Sequence, residues 1–179
     1  MDQIRRIRRL ATLSLLPPLL LGAILSCKAG SHLVERLTGQ TPTAQINRYL
    51  NTIRDGDRQA ALSLWAEPDK ANVPLGQRRK SVTDELLSWG PGMRHRITHI
   101  TWWSTCCEPG VIDEPDEAGG AHVQVTVESN NRPPQVYEFY LRVPGGYWGS
   151  AAGSPPRQWQ IVDVHPKDQE PLAWPWARR

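Results

Sequence analysis

The spacing of apolar residues changes period once along this chain, at Gly92, and that change decides the class of fold. Upstream of it the spacing is helical. Ile46, Tyr49, Leu50 and Ile53 fall at i, i+3, i+4 and i+7, one face of a helix. Thr41 offers an N-cap oxygen, and Pro42 suits the first helical position, where its missing N–H would have had no partner. Asp55-Gly56-Asp57 stops that helix and caps a second, whose apolar side is Ala61, Leu62 and Trp65. Ser81 with Asp84 three residues on reads as a capping pair, and Gly90-Pro91 as a stop, so a third helix is expected over residues 81–89.

Downstream of Gly92 the period is two. Val123, Val125 and Val127 alternate with Gln124, Thr126 and Glu128; Tyr137, Phe139, Leu141 and Val143 share a face; so do Trp159 and Ile161. With residues 94–103 these make four strands. Short, turn-rich connections favour antiparallel pairing, and helices that precede the strands instead of alternating with them indicate α+β architecture. The expected domain is three N-terminal helices packed on a curved four-stranded antiparallel sheet.

The first residues carry a different signal. Arg5, Arg6, Arg8 and Arg9 precede an uncharged run from Leu10 to Ser26, and Cys27 follows. A basic start, an apolar stretch and a small residue before a cut is the order of a secretory signal peptide. At 17 residues the run is barely long enough to span a bilayer, and Pro17-Pro18 would kink it. It therefore reads as a signal peptide, with a retained anchor helix as the alternative. The arginines keep this end in the cytoplasm and direct the rest outward. Ala23-Ile24-Leu25-Ser26-Cys27 resembles the lipobox of bacterial lipoproteins, with Leu25 bulkier than that pattern prefers. The resemblance implies a lipid on Cys27 and residence on the extracytoplasmic face of the bacterial cytoplasmic membrane. The organisation expected is signal or anchor (1–26), tether (27–41), α+β domain (42–166) and a Trp/Pro-rich tail (167–179).

Those arginines against Asp2 account for the whole net charge of +3, so the remainder of the chain is neutral. A neutral body has no long-range field to gather nucleic acid, and no nucleic-acid partner is expected.

The helical segment Asn47-Arg48-Tyr49-Leu50, Asp55-Gly56-Asp57 and Ala60-Ala61-Leu62-Ser63-Leu64-Trp65, together with the closing strand Trp159-Gln160-Ile161-Val162-Asp163-Val164, resembles the nuclear transport factor 2-like superfamily over about residues 42–166. That resemblance implies a cone-shaped α+β fold and says little about function, since the fold hosts enzymes and binders alike. Ketosteroid isomerase, one of its enzymes, needs a carboxylate base and two oxyanion donors in an apolar pocket. Tyr49 falls where its helical Tyr donor would be. Glu138 falls near the second donor but in the strand phase opposite to Phe139, and no carboxylate stands near Asn72-Val73, where the base belongs; Asp69 follows Pro68 in a loop. Without a base there is no proton abstraction, and isomerase-like catalysis is not expected.

Other chemistry is thinly represented. His95 and His99 share a strand face with Ile97, but two strand pitches, roughly 13 Å, separate them, too far for one ion without a bulge. His122 lies on the polar side of its strand, and His165 on another strand, so no metal is expected. No Cys-x-x-Cys-His or Gly-x-Gly-x-x-Gly motif points to haem or a dinucleotide, and no cofactor is expected. Cys106 and Cys107 are adjacent, which strains a disulfide between them and favours buried thiols. The acidic stretch from Glu108 to Glu117 lacks calcium-loop spacing and reads as a solvated hairpin loop.

Two segments read as contact surface: Tyr147-Trp148, set among glycines and prolines, and the tail with Trp174 and Trp176. Tryptophan is enriched at the centres of interfaces. The function expected is that of a non-catalytic lipoprotein acting as an accessory, interaction subunit of a membrane-associated complex, held to the membrane by lipid or helix and docking on a protein partner; an electron-transfer assembly is one such complex. The alternative is a small-molecule binder or enzyme using a pocket near Tyr49, Trp65, His99 and Phe139.

Overall fold

A computed structural model describes residues 40–67, 73–104, 110–112, 118–143 and 158–172. Helix α1 (Pro42–Arg54) begins where Thr41 Oγ1 accepts the Ala44 N–H at 3.1 Å, with Pro42 in the first turn. Its buried face is Pro42, Ile46, Tyr49, Leu50 and Ile53. Gly56 takes a φ of 78°, which an L side chain adopts only with strain, and the chain turns there into α2 (Arg58–Ser63). Asp57 Oδ1 caps α2 through the Ala60 N–H at 2.9 Å.

Helix α3 (Val73–Leu87) starts eight residues before the expected capping pair. Ser81 is inside the helix and its hydroxyl donates to Arg78 O at 3.1 Å, while Asp84 pairs with Arg58 at 2.6 and 3.0 Å. Both side chains found partners other than the helix terminus, so the expected start over residue 81 is corrected. Gly90, at a φ of 73°, marks the turn out of the helix.

The sheet has four long strands, β1 (Arg94–Ser104), β3 (Gly120–Ser129), β4 (Arg132–Arg142) and β5 (Gln160–Pro166), and a short edge strand β2 (Gly110–Ile112) that the pattern did not announce. The order is β2-β1-β3-β4-β5, antiparallel throughout. Strand β4 begins at Arg132, earlier than the apolar alternation, because Pro133 and Pro134 are accommodated where the register shifts between Val127 and Ser129. Outside β5, Trp65 forms a parallel bridge to Ile161 and the Ala66 N–H donates to Ile161 O at 2.7 Å, which covers part of that edge.

One face of the sheet packs on the helices. Ala121, Val123, Val125 and Val127 of β3, Tyr137, Phe139 and Leu141 of β4, and Ile161 and Val164 of β5 are fully buried with Ile46, Tyr49, Leu50 and Leu86 in one apolar cluster. At about 25 cal/mol per Å² of apolar area removed from water, this cluster is the main source of stability. Among the described residues no helix is long and apolar enough to cross a membrane.

Candidate functional site

Three of the four residues expected to line an interior pocket meet in the core. Tyr49 lies edge-on to Trp65, ring centres 6.2 Å apart, and edge-on to Phe139 at 6.0 Å. Their exposures are 0, 4 and 0 %, so they fill this part of the interior with their own rings. Tyr49 Oη is 3.0 Å from Thr83 Oγ1, and Thr83 Oγ1 in turn donates to Arg79 O at 2.7 Å. Because the threonine has one proton and spends it on Arg79, the tyrosine must be the donor in their bond. Burial pushes the phenol up to about 12. The hydroxyl is thus neutral and already engaged, which is the reverse of an oxyanion donor awaiting substrate.

His99 is not with them. A bulge at Thr98 lets Ile97 face Val125 on the packed side while His99 faces Gln124 on the opposite side. The expectation that His99 shares a face with His95 and Ile97 is corrected by that one extra residue. His99 is exposed, with Nε2 3.1 Å from Thr101 Oγ1. His95 stays on the helix side, 2.9 Å from Asn47 Oδ1, and burial and the Arg54 charge hold its ring below the usual histidine range.

On the outer face, β3, β4 and β5 bring together a polar group that sequence reading had only as scattered residues. The Tyr140 ring lies between two imidazoles, stacked on His122 at 4.6 Å and 15° and on His165 at 5.5 Å and 22°. Tyr140 Oη donates to Glu138 Oε2 at 3.2 Å, Gln124 Nε2 donates to Glu138 Oε1 at 3.2 Å, and His122 Nε2 is 3.5 Å from Glu138 Oε2. His165 Nδ1 is 2.8 Å from Pro166 O and so donates to it, while the buried Nε2 has no hydrogen-bond partner among the described residues. Burial, together with the neighbouring His165 and His99, pulls the His122 ring down against the opposing pull of Glu138. Burial and Glu138 push the Tyr140 phenol up.

This arrangement stacks three rings face to face across three strands. The Tyr140 ring keeps His122 and His165 on opposite sides of itself, so they do not converge on one ion. Among the described residues no group of three His, Cys, Asp or Glu side chains is placed to hold a metal. Glu138 is on the face away from Phe139, and its oxygens are occupied by Gln124 and Tyr140. The signal that could have found the group was the polar half of each two-residue repeat; reading it required the hairpin register that sets His122 opposite Tyr140.

Cys27, Tyr147, Trp148, Trp174 and Trp176 lie outside the described residues, as do Asp69, Asn72, Cys106 and Cys107. The described residues form an α+β protein with an aromatic cluster packed in its core and a histidine-tyrosine stack on the opposite face of its antiparallel sheet. Comparison of the chain with protein-family models, with characterised proteins and with solved structures finds no match.

Proposed function

We propose that this chain is an exported, membrane-anchored and non-catalytic docking module, an accessory subunit held by a lipid on Cys27 at the extracytoplasmic face of a bacterial cytoplasmic membrane. In this reading its domain is a nuclear transport factor 2-like cone with a curved sheet. The observation that carries the non-catalytic part is the interior: Tyr49, Trp65 and Phe139 occupy one another's edges and the Tyr49 proton is given to Thr83. A ligand would have to displace rings worth several kcal/mol of burial each, and would meet no free donor at Tyr49. The same contacts weigh against a small-molecule binder or enzyme built on that pocket. Contact then falls to the aromatic segments, Tyr147-Trp148 and Trp174 with Trp176.

The test uses the full-length chain, affinity-tagged and extracted in detergent from the membranes of its own cells. The account expects defined membrane proteins to co-purify with the wild type and to be lost from Trp174→Ala/Trp176→Ala, with Tyr147→Ala/Trp148→Ala weakened as well. Identical co-purification from wild type and all variants would remove the docking role from these residues.

A further inference from the structure

Asp163 is wholly buried on β5, yet its partners come from outside the sheet. Oδ2 accepts the Leu172 backbone N–H at 2.6 Å and lies 3.3 Å from Arg78 Nη1 of α3. The same Arg78 nitrogen donates to Glu170 O at 2.6 Å, so one guanidinium grips both the strand carboxylate and the chain that follows it. Lys167 N–H donates to Val136 O, continuing the pairing with β4, and Gln169 N–H donates to Pro166 O, closing a turn. Among the described residues Asp163 Oδ1 has no hydrogen-bond partner.

A buried ion pair is by itself a poor way to hold α3 against β5. Desolvating two charges offsets most of their attraction, and replacing both partners by apolar groups is often neutral or stabilising. Apolar contact already joins these elements, since Val82 and Leu86 of α3 and Ile161 and Val164 of β5 belong to one cluster. What an apolar pair would not do is accept the Leu172 N–H or donate to Glu170 O. Both of those bonds fix residues 170–172, the last described residues before Trp174 and Trp176.

We infer that Arg78 and Asp163 are positioning residues: a latch that holds residues 170–172 against α3 and β5, and so fixes the point from which the chain continues to the tail tryptophans proposed to dock. The inference rests on the docking role proposed for that tail. Its chemistry is separable from it, because the latch acts on residues 167–172 whether or not a partner is present.

Amide hydrogen exchange on the full-length protein reads the latch directly. In wild type, peptides covering residues 167–172 are protected; in Asp163→Asn and Arg78→Gln they exchange about tenfold faster or more, the loss of one hydrogen bond to a charged group, while β3 and β4 peptides are unchanged. Either single variant leaves a buried group unpaired and risks misfolding, so the deciding variant is Asp163→Leu/Arg78→Met. It is expected to keep the wild-type melting temperature within a few degrees and still to release residues 167–172. Unchanged exchange there, or a release that appears only with loss of the whole fold, overturns the latch.

Co-purification from detergent-solubilised membranes then separates the two claims. If Trp174→Ala/Trp176→Ala loses the membrane partners and the released double variant loses them too, the latch positions the tail. If the tryptophan variant loses them and the released double variant keeps them, the positioning role is wrong. If the tryptophan variant keeps them, the docking role itself fails, and the positioning role falls with it even where exchange has shown the latch.

Discussion

Tyr49 of α1 donates its phenolic hydrogen to Thr83 of α3, 3.0 Å away in the middle of the core, and thereby ties two helices together. The bond makes the tyrosine a structural residue. Tyr49→Phe removes it without opening a hole, and Thr83 Oγ1 keeps its bond to Arg79 O, so the expected loss is about 1 kcal/mol. Tyr49→Ala removes the ring against which Trp65 and Phe139 pack and should cost about 3 to 5 kcal/mol. Urea unfolding measures both; equal losses in the two variants would mean that the hydroxyl, not the ring, holds the core.

Acid should weaken the fold through two histidines. The rings of His95 and His122 are both held below the ordinary histidine value, chiefly by burial, so the unfolded chain binds protons that the folded chain refuses. Their contribution is fully present above the unfolded value near 6.5 and is lost as pH falls from there toward the lowered folded values. The urea midpoint should therefore drop between about pH 7 and pH 5, and the drop should shrink in His122→Gln and shrink further when His95→Gln is added. A midpoint in the double variant that falls as steeply as in wild type would assign the acid sensitivity to other groups.

The bulge in β1 makes a sharper prediction. Ile97 pairs with Val125 and His99 with Gln124, so Thr98 is the extra residue. Removing Thr98 leaves strict alternation, with Ile97 and Ile100 still packed and His99 still outside. Deleting Thr98 is expected to be tolerated, with loss of only its hydrogen bond to Gln124 O. Deleting Arg96 instead draws Thr98 opposite Val125 on the packed side and turns Ile97 outward, and should cost clearly more stability than deleting Thr98. Circular dichroism and a thermal melt of the two deletions decide it.

That bulge also marks the limit of what the sequence carried. The helical face of Ile46, Tyr49, Leu50 and Ile53, the Thr41 cap and the alternating valines of β3 were legible because local spacing alone dictates them. Three helices and an antiparallel sheet follow from those patterns. His99 was placed on the wrong face because an inserted residue leaves no mark on a period-two pattern until the partner strand is known. Ser81 and Asp84 match a cap locally, but Ser81 bonds back to Arg78 O within a helix that began earlier, and Arg58 of α2 claims Asp84. The stack of His122, Tyr140 and His165 lies on three strands and is set by register, which depends on hairpin lengths and irregularities that composition does not encode. The short strand β2 has too few residues to show any period.

The central claim is that this chain works outside the cytoplasm, held at a membrane by its N-terminus. Mass spectrometry of the intact protein recovered from cell fractions tests that most directly. The account predicts a membrane-bound chain that begins at Cys27 and carries the added mass of acyl groups; a membrane-bound chain beginning at Met1 would keep the anchor and remove the lipid. An intact chain from Met1, recovered from the soluble cytoplasmic fraction, would contradict the claim.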